Sequence, residues 1–215
     1  MASVQAHRSG RACPAWISHK QAAHFARTPG GTFYNEILVI FLLSAVFALA
    51  GIALADVRAC ACDASKPETL APKECGLCRE AENQPADVTV FFVKDINPRK
   101  PNRWLALPRA HIHALADMTP EARVSLWNAT IEKAKSLWGT GWGLAMNGDE
   151  RRTQCHTHIH IGKLLDGVES PTFEEVDGPA GIPVPKDGAG FWIHPVGDKL
   201  HVHSGEQVTE FFLMR

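Results

Sequence analysis

Residues 152–162 read Arg152-Thr153-Gln154-Cys155-His156-Thr157-His158-Ile159-His160-Ile161-Gly162, and the fold and the chemistry both turn on this run. On an extended strand successive side chains alternate, so His156, His158 and His160 would share one face while Thr157, Ile159 and Ile161 line the other. The spacing predicts a strand over 155–161. Three imidazoles on one face carry too much polar burden to be filler for an apolar core. They suit transition-metal binding through two or three rings. They equally suit nucleophilic attack by the central ring, because a hydrogen bond at one ring nitrogen fixes which nitrogen keeps its lone pair. The preceding loop adds Arg151, Arg152, Thr153, Gln154 and backbone N–H groups, a dense set of donors for phosphate oxygens that a metal site alone would not use.

Working outward, Trp142 to Met146 is strand-like, and the loop from Asn147 to Gln154 joins it to the triad strand. Thr119 can cap a helix that Pro120 opens; Val124, Trp127, Ile131, Ala134 and Trp138 recur at steps of three and four, and Gly139 stops it. The tryptophans on that stripe read as core packing. Val88 to Val93 and Arg103 to Leu107, separated by a turn-rich break, predict a β-hairpin. Beyond Gly162 the chain is rich in Gly, Pro and Asp, with short strand-like pieces at Phe191–His194, Leu200–His203 and Val208–Leu213. The expected fold class is α+β: an antiparallel sheet of about five strands with one long helix packed on it.

The 215 residues leave room for one ordinary domain and an extra segment. Lys and Arg number 22 against 23 Asp and Glu, so no global basic field is present and bulk nucleic-acid binding is disfavoured. Ile37 to Ala55 is uncharged and long enough to cross a bilayer, and Arg8, Arg11, Lys20 and Arg27 before it keep the N-terminus cytoplasmic. Ala53-Leu54-Ala55 also fits a signal-peptidase site. The expected organisation is therefore a cytoplasmic leader over 1–36, a transmembrane anchor or signal peptide over 37–55, a Cys-containing linker over 56–86 and a catalytic domain over 87–215. The catalytic part is exported, either tethered to the cell membrane or released. Cys60, Cys62, Cys75 and Cys78 crowd that linker. In an oxidising compartment they suit disulfides, while the C-x-x-C spacing of Cys75 and Cys78 also suits zinc. Cys155 has no evident partner and reads as a small packed residue.

Taken together, His156-Thr157-His158-Ile159-His160-Ile161, Asn147-Gly148, Asp95-Ile96-Asn97-Pro98 and Leu107-Pro108-Arg109-Ala110-His111-Ile112 resemble the histidine triad (HIT) superfamily of nucleotidyl hydrolases and transferases. The likeness runs from about Cys75 to Leu165. Within the superfamily, the Arg152-Thr153-Gln154 lead-in is most similar to the CDP-diacylglycerol pyrophosphatases. The longer leader, the extra cysteines and the compressed segment after the triad depart from that pattern. The resemblance implies that His158 attacks the α-phosphorus to give a nucleotidyl-imidazole that water hydrolyses, with His156 and His160 holding and polarising it. It implies further that His111 and Asn147 support the site and the nucleotide, and that Arg152, Thr153 and Gln154 bind phosphate oxygens. No cofactor is required, although some members carry a structural zinc, which here would use Cys75, Cys78, His111 and His156.

The expected function is hydrolysis of CDP-diacylglycerol to CMP and phosphatidate by an enzyme facing a membrane surface, with a nucleotide-lipid as substrate and a homodimer admissible. The alternatives are a HIT hydrolase of a soluble dinucleoside polyphosphate or nucleotide conjugate, and an exported metal-binding module without turnover. His201-Val202-His203 is similar to a cupin metal motif, but it is one residue short and too near the C-terminus for the barrel strands that must follow. It is expected to be a surface hairpin. His194 has no assigned role.

Overall fold

The computed structural model describes Val57, Cys60 and residues 62–215; the expectations for the leader, the apolar run and the cleavage site lie outside the described residues. Among the described residues no helix is long and apolar enough to cross a membrane.

The hairpin forms as its two β-rich runs dictate: β1 (Val90–Lys94) pairs antiparallel with β2 (Trp104–Pro108). β3 is Trp142–Met146 and β4 is Ile159–Lys163. Then come β5 (Glu174–Val176), β6 (Phe191–Val196) and β7 (Lys199–Ser204). They form one antiparallel sheet in the order β1-β2-β4-β3-β6-β7-β5. The α+β class holds, with seven strands instead of five. The additional pairing comes from the C-terminal Gly/Pro-rich region, where β6 and β7 make a hairpin and three residues of β5 add an edge. Val208–Leu213, expected as a strand, is instead a single turn of 3₁₀ helix at Glu210–Phe212, with one isolated bridge between Leu164 and Leu213.

Among the described residues two α-helices lie on the sheet. The short α1 (Gly76–Glu82) falls within the segment read as a linker and buries Cys78 and Ala81. The long α2 (Pro120–Trp138) is capped as its sequence requires: Thr119 accepts a hydrogen bond from the Ala122 N–H at 3.3 Å, and Gly139 takes a positive φ of 58° at the exit. Trp127, Ile131 and Ala134 of α2 bury against Ala106, Leu144, Ile159, Ile161, Phe191 and Ile193. Strand alternation fixes this sharing, since those sheet residues all point to the α2 side. On the opposite face Ala81 of α1 packs with Phe91, Leu105 and Leu107, while Leu213 covers Ala145 and Trp192.

Across that second face the register aligns Leu105, His160, Ala145, Trp192 and His203 in one row over β2, β4, β3, β6 and β7. His194 and His201 form a neighbouring cross-strand pair. The sheet therefore has an apolar side under α2 and a histidine-bearing side away from it.

Two disulfides tie the N-terminal segment down. Cys62 joins Cys75, and Cys60 joins Cys155 across a sequence separation of 95 residues. Cys155, expected to lack a partner, is thus cross-linked, and its partner lies in the segment read as a linker. Cys78 is free and buried, and burial raises its thiol pKa to about 11. The Cys60–Cys155 bond closes a loop long enough to matter to the unfolded chain. The Cys60→Ser, Cys155→Ser double variant should lose about 2–5 kcal/mol of unfolding free energy. Urea titration measures this, and a loss below about 1 kcal/mol would show that the bond constrains little.

Gly190 marks a close approach of backbone to backbone. A Cβ there would sit 2.6 Å from the Glu206 carbonyl, 2.7 Å from the Gly148 nitrogen and 2.8 Å from the Met146 carbonyl, all of them backbone atoms. Gly190→Ala should therefore destabilise by about 1–3 kcal/mol, read as a lowered urea midpoint at unchanged slope.

Candidate active site

β4 begins at Ile159, so His160 lies in the strand while His156 and His158 stand in the bent segment before it. The expected single strand face is corrected here for a local reason. The Cys155 N–H donates to the Glu74 carbonyl at 2.8 Å, and the Thr157 N–H donates to the Ile112 carbonyl at 2.7 Å. Cys155 and Thr157 are thus bonded to the 3₁₀ turn Lys73–Cys75 and to the loop after β2, and not to a sheet neighbour. Two of the three rings meet directly: His158 and His160 are edge to face with centroids 5.1 Å apart, whereas the His156 ring lies 5.7 Å from His111.

The central ring has a defined tautomer. His158 Nδ1 is 2.8 Å from the His156 carbonyl oxygen, so Nδ1–H donates and Nε2 carries the lone pair. Among the described residues no hydrogen bond engages that Nε2. His156 Nδ1 likewise donates to the Thr157 carbonyl at 2.9 Å, leaving its Nε2 buried and unpaired. Burial pushes His158 down to about 4, against the opposing effect of the His156 carbonyl, with the Arg152 charge lowering it further. Burial also takes His156 to about 4, and His160 falls well below its ordinary value through burial, then His158, Arg103 and Lys100. At neutral pH all three rings are uncharged.

The residues expected to contact substrate divide in two. Thr153 is exposed and among the described residues its hydroxyl makes no hydrogen bond. Arg152 is buried; it donates to the His113 carbonyl at 2.5 Å and to Asp149 at 2.9 Å, with Nε left unpaired. Gln154 spans Lys73 and Leu77, holding the start of α1. Asn147 Oδ1 accepts the N–H groups of Thr209 and Glu210 at 3.0 and 3.2 Å, anchoring the C-terminal segment. His111 Nε2 meets the Glu82 carboxylate at 2.7 Å. Three of these five side chains hold the loops that build the site.

Sequence reasoning missed the charged groups beside His160. Glu210 lies 3.8 Å from His160 Nδ1, and its carboxylate also binds Lys100 and, at 2.8 Å, Arg103. Arg103, fully buried, bonds the Leu213 and Met214 carbonyls at 2.6 and 3.1 Å. No motif in the sequence marks these groups. Glu210 sits in a segment with strand-like composition, and Arg103 and Lys100 border a turn.

No known protein family and no curated protein matches this chain. The zinc set that the resemblance implies does not fit the oxidised protein. Cys75 is bonded to Cys62, and the sulfurs gathered near it are those of Cys62 and Cys78, with no imidazole nitrogen among them.

Neither of two surface concavities has a triad ring in its wall. One, of about 600 Å³, is bordered by Val90, Arg109, Ile112, Met118 and Ser125; the other, of about 430 Å³, by Arg103, Leu165, Phe211, Leu213, Met214 and Arg215.

Histidines held below their unfolded value contribute stability that is complete above about pH 6.5 and is lost as pH falls toward about 4. The urea midpoint should fall across that window. NMR titration should give His158 a pKa of about 4; a value near 6.5 would mean that the ring is solvated.

Proposed function

We propose that this chain is a HIT-like hydrolase that cleaves the pyrophosphate bond of CDP-diacylglycerol to CMP and phosphatidate through a nucleotidyl-histidine intermediate. One observation carries the proposal: His158 donates Nδ1–H to the His156 carbonyl at 2.8 Å and so keeps an unprotonated, unengaged Nε2. That nitrogen attacks the α-phosphorus. The N–P bond forms as the bond from phosphorus to the bridging oxygen breaks, and phosphatidate leaves with the bonding electrons. Water then attacks the same phosphorus, the N–P bond breaks, CMP departs and one proton passes to solvent.

The low pKa of His158 keeps the nucleophile neutral without a separate base, and the second step benefits because a ring of low basicity is a good leaving group. Thr153 and the loop N–H groups are donors for the phosphoryl oxygens, and the Arg152 charge lies close enough to His158 to bias its titration. His160 lies edge to face with the reacting ring, and His156 orients it through its backbone carbonyl.

The lipid reading is favoured over a soluble dinucleotide by the concavity at the C-terminus. Leu165, Phe211, Leu213 and Met214 offer an apolar wall with Arg103 and Arg215 beside it, and Arg103 shares the Glu210 carboxylate that faces His160. An acyl chain needs such a wall, and a second nucleoside does not. The uncharged run over 37–55 would hold the domain beside its lipid.

The test uses the full chain in detergent, wild type and His158→Ala, with CDP-diacylglycerol in the presence and absence of EDTA. Wild type should release CMP and the variant none, and an acid-labile phosphoramidate should be trapped on the wild type alone. Mononucleotide from a dinucleoside polyphosphate, without CMP from the lipid, would move the substrate to the soluble class. Inertness of both proteins toward both substrates would leave a metal-binding module without turnover.

A further inference from the structure

The pair His201 and His203, expected on a surface hairpin, is buried, and so is His194. The register explains this. His194 on β6 faces His201 on β7, and His203 lies two residues further along β7, so all three rings project from the side of the sheet away from α2. Glu169, from the loop between β4 and β5, reaches over them.

Their donor atoms converge. Glu169 Oε2 lies 3.1 Å from His194 Nε2, while Oε1 lies 3.2 Å from His201 Nδ1 and 3.5 Å from His203 Nε2. His194 Nε2 and His203 Nε2 are themselves 3.2 Å apart. Four ligands on a tetrahedral ion with bonds of about 2.0–2.1 Å would stand about 3.3 Å from one another. One donor atom from each residue falls within a span of 4.8 Å.

The surroundings orient these atoms as metal ligands are usually oriented. His203 Nδ1 donates to the Thr172 carbonyl at 3.0 Å, which leaves Nε2 as the lone-pair nitrogen facing the cluster. His201 Nε2 faces Glu175 at 3.6 Å while its Nδ1 turns inward. The rings are also clamped: His203 stacks on Trp192 at 3.7 Å and 4°, and His201 on Phe173 at 3.8 Å and 10°. Rings locked by stacking and by an outer hydrogen bond lose little freedom when they bind.

We infer that Glu169, His194, His201 and His203 form a binding site for one divalent first-row transition metal of the zinc class. Imidazole with carboxylate suits such ions, and four protein ligands make a closed site, which is structural in role. Bound there, the ion would staple the β4–β5 loop to the β6–β7 hairpin. The site is separate from the triad: His160 and His203 are three strands apart in the same row, or roughly 14 Å at the usual strand spacing.

The test reads binding and not hydrolysis, so its outcome is independent of the proposed reaction. The full chain in detergent, stripped with a chelator and titrated with Co²⁺, should take up one ion and show the intense visible bands of tetrahedral cobalt; Zn²⁺ should bleach them. Both should raise the melting temperature. His203→Ala should abolish the bands. Glu169→Gln, at a half-exposed side chain that the fold tolerates, should weaken Co²⁺ by at least about tenfold. His158→Ala and Cys78→Ser should bind as wild type does. Failure of the stripped chain to bind, retention of wild-type affinity in Glu169→Gln, or loss of the bands in His158→Ala or Cys78→Ser would each overturn the assignment.

Discussion

The register of β4 against its neighbours is the constraint on which the other features depend. Ile159 and Ile161 must face α2, because Trp127, Ile131 and Ala134 close the core there. That choice sends His160 to the other side, opposite Leu105 and Ala145. A slip of one residue would bury an imidazole under the helix and expose two isoleucines, so the apolar core enforces the placement of the polar row. The same alternation along β6 and β7 puts Phe191, Ile193, Leu200 and Val202 under α2 and releases Trp192, His194, His201 and His203 to the far face. One packing decision thus produces both histidine clusters.

Around that sheet the chain invests heavily in holding segments of little regular structure. The two disulfides fix the N-terminal stretch, one of them to Cys155 immediately before the triad. At the other end Arg103 and Asn147 grip the last residues through backbone groups, and Glu210 links that segment to Lys100 and His160. Loops bear few backbone partners of their own, so side chains and covalent bonds supply the restraint. The consequence is electrostatic: the covered triad is dry enough for its rings to remain neutral, which is the form that a nucleophile requires.

Much of this was legible from local signals. The α2 helix has a cap, an opening proline, an apolar period and a glycine stop that agree, and the β1–β2 hairpin has two β-rich runs around a turn. The triad was legible as a cluster because alternate spacing brings rings together in almost any extended backbone. Its details were not. Whether Cys155 to Thr157 pair in a sheet depends on the Glu74 and Ile112 carbonyls, which are distant in sequence. Asn147 and Gln154 look like ligand donors by residue type, yet their amides are engaged with Thr209, Glu210, Lys73 and Leu77. The β6–β7 hairpin was underrated because a pair of histidines near a chain end suggests exposure; a loop glutamate and two aromatic rings cover it.

What the sequence by itself determined is everything that period and capping encode: the α+β class, the long helix, the hairpin, and the closeness of His158 to His160. These follow from contacts within a few residues, where steric and hydrogen-bonding preferences are nearly independent of the remaining chain. Only the tertiary structure decided the seven-strand order, the cysteine pairs, the free Nε2 of His158 and the convergence of Glu169 with three histidines. Each of these depends on which distant backbone or side-chain group arrives at a given place, and that is set by packing of the whole sheet against α2 and not by any local run.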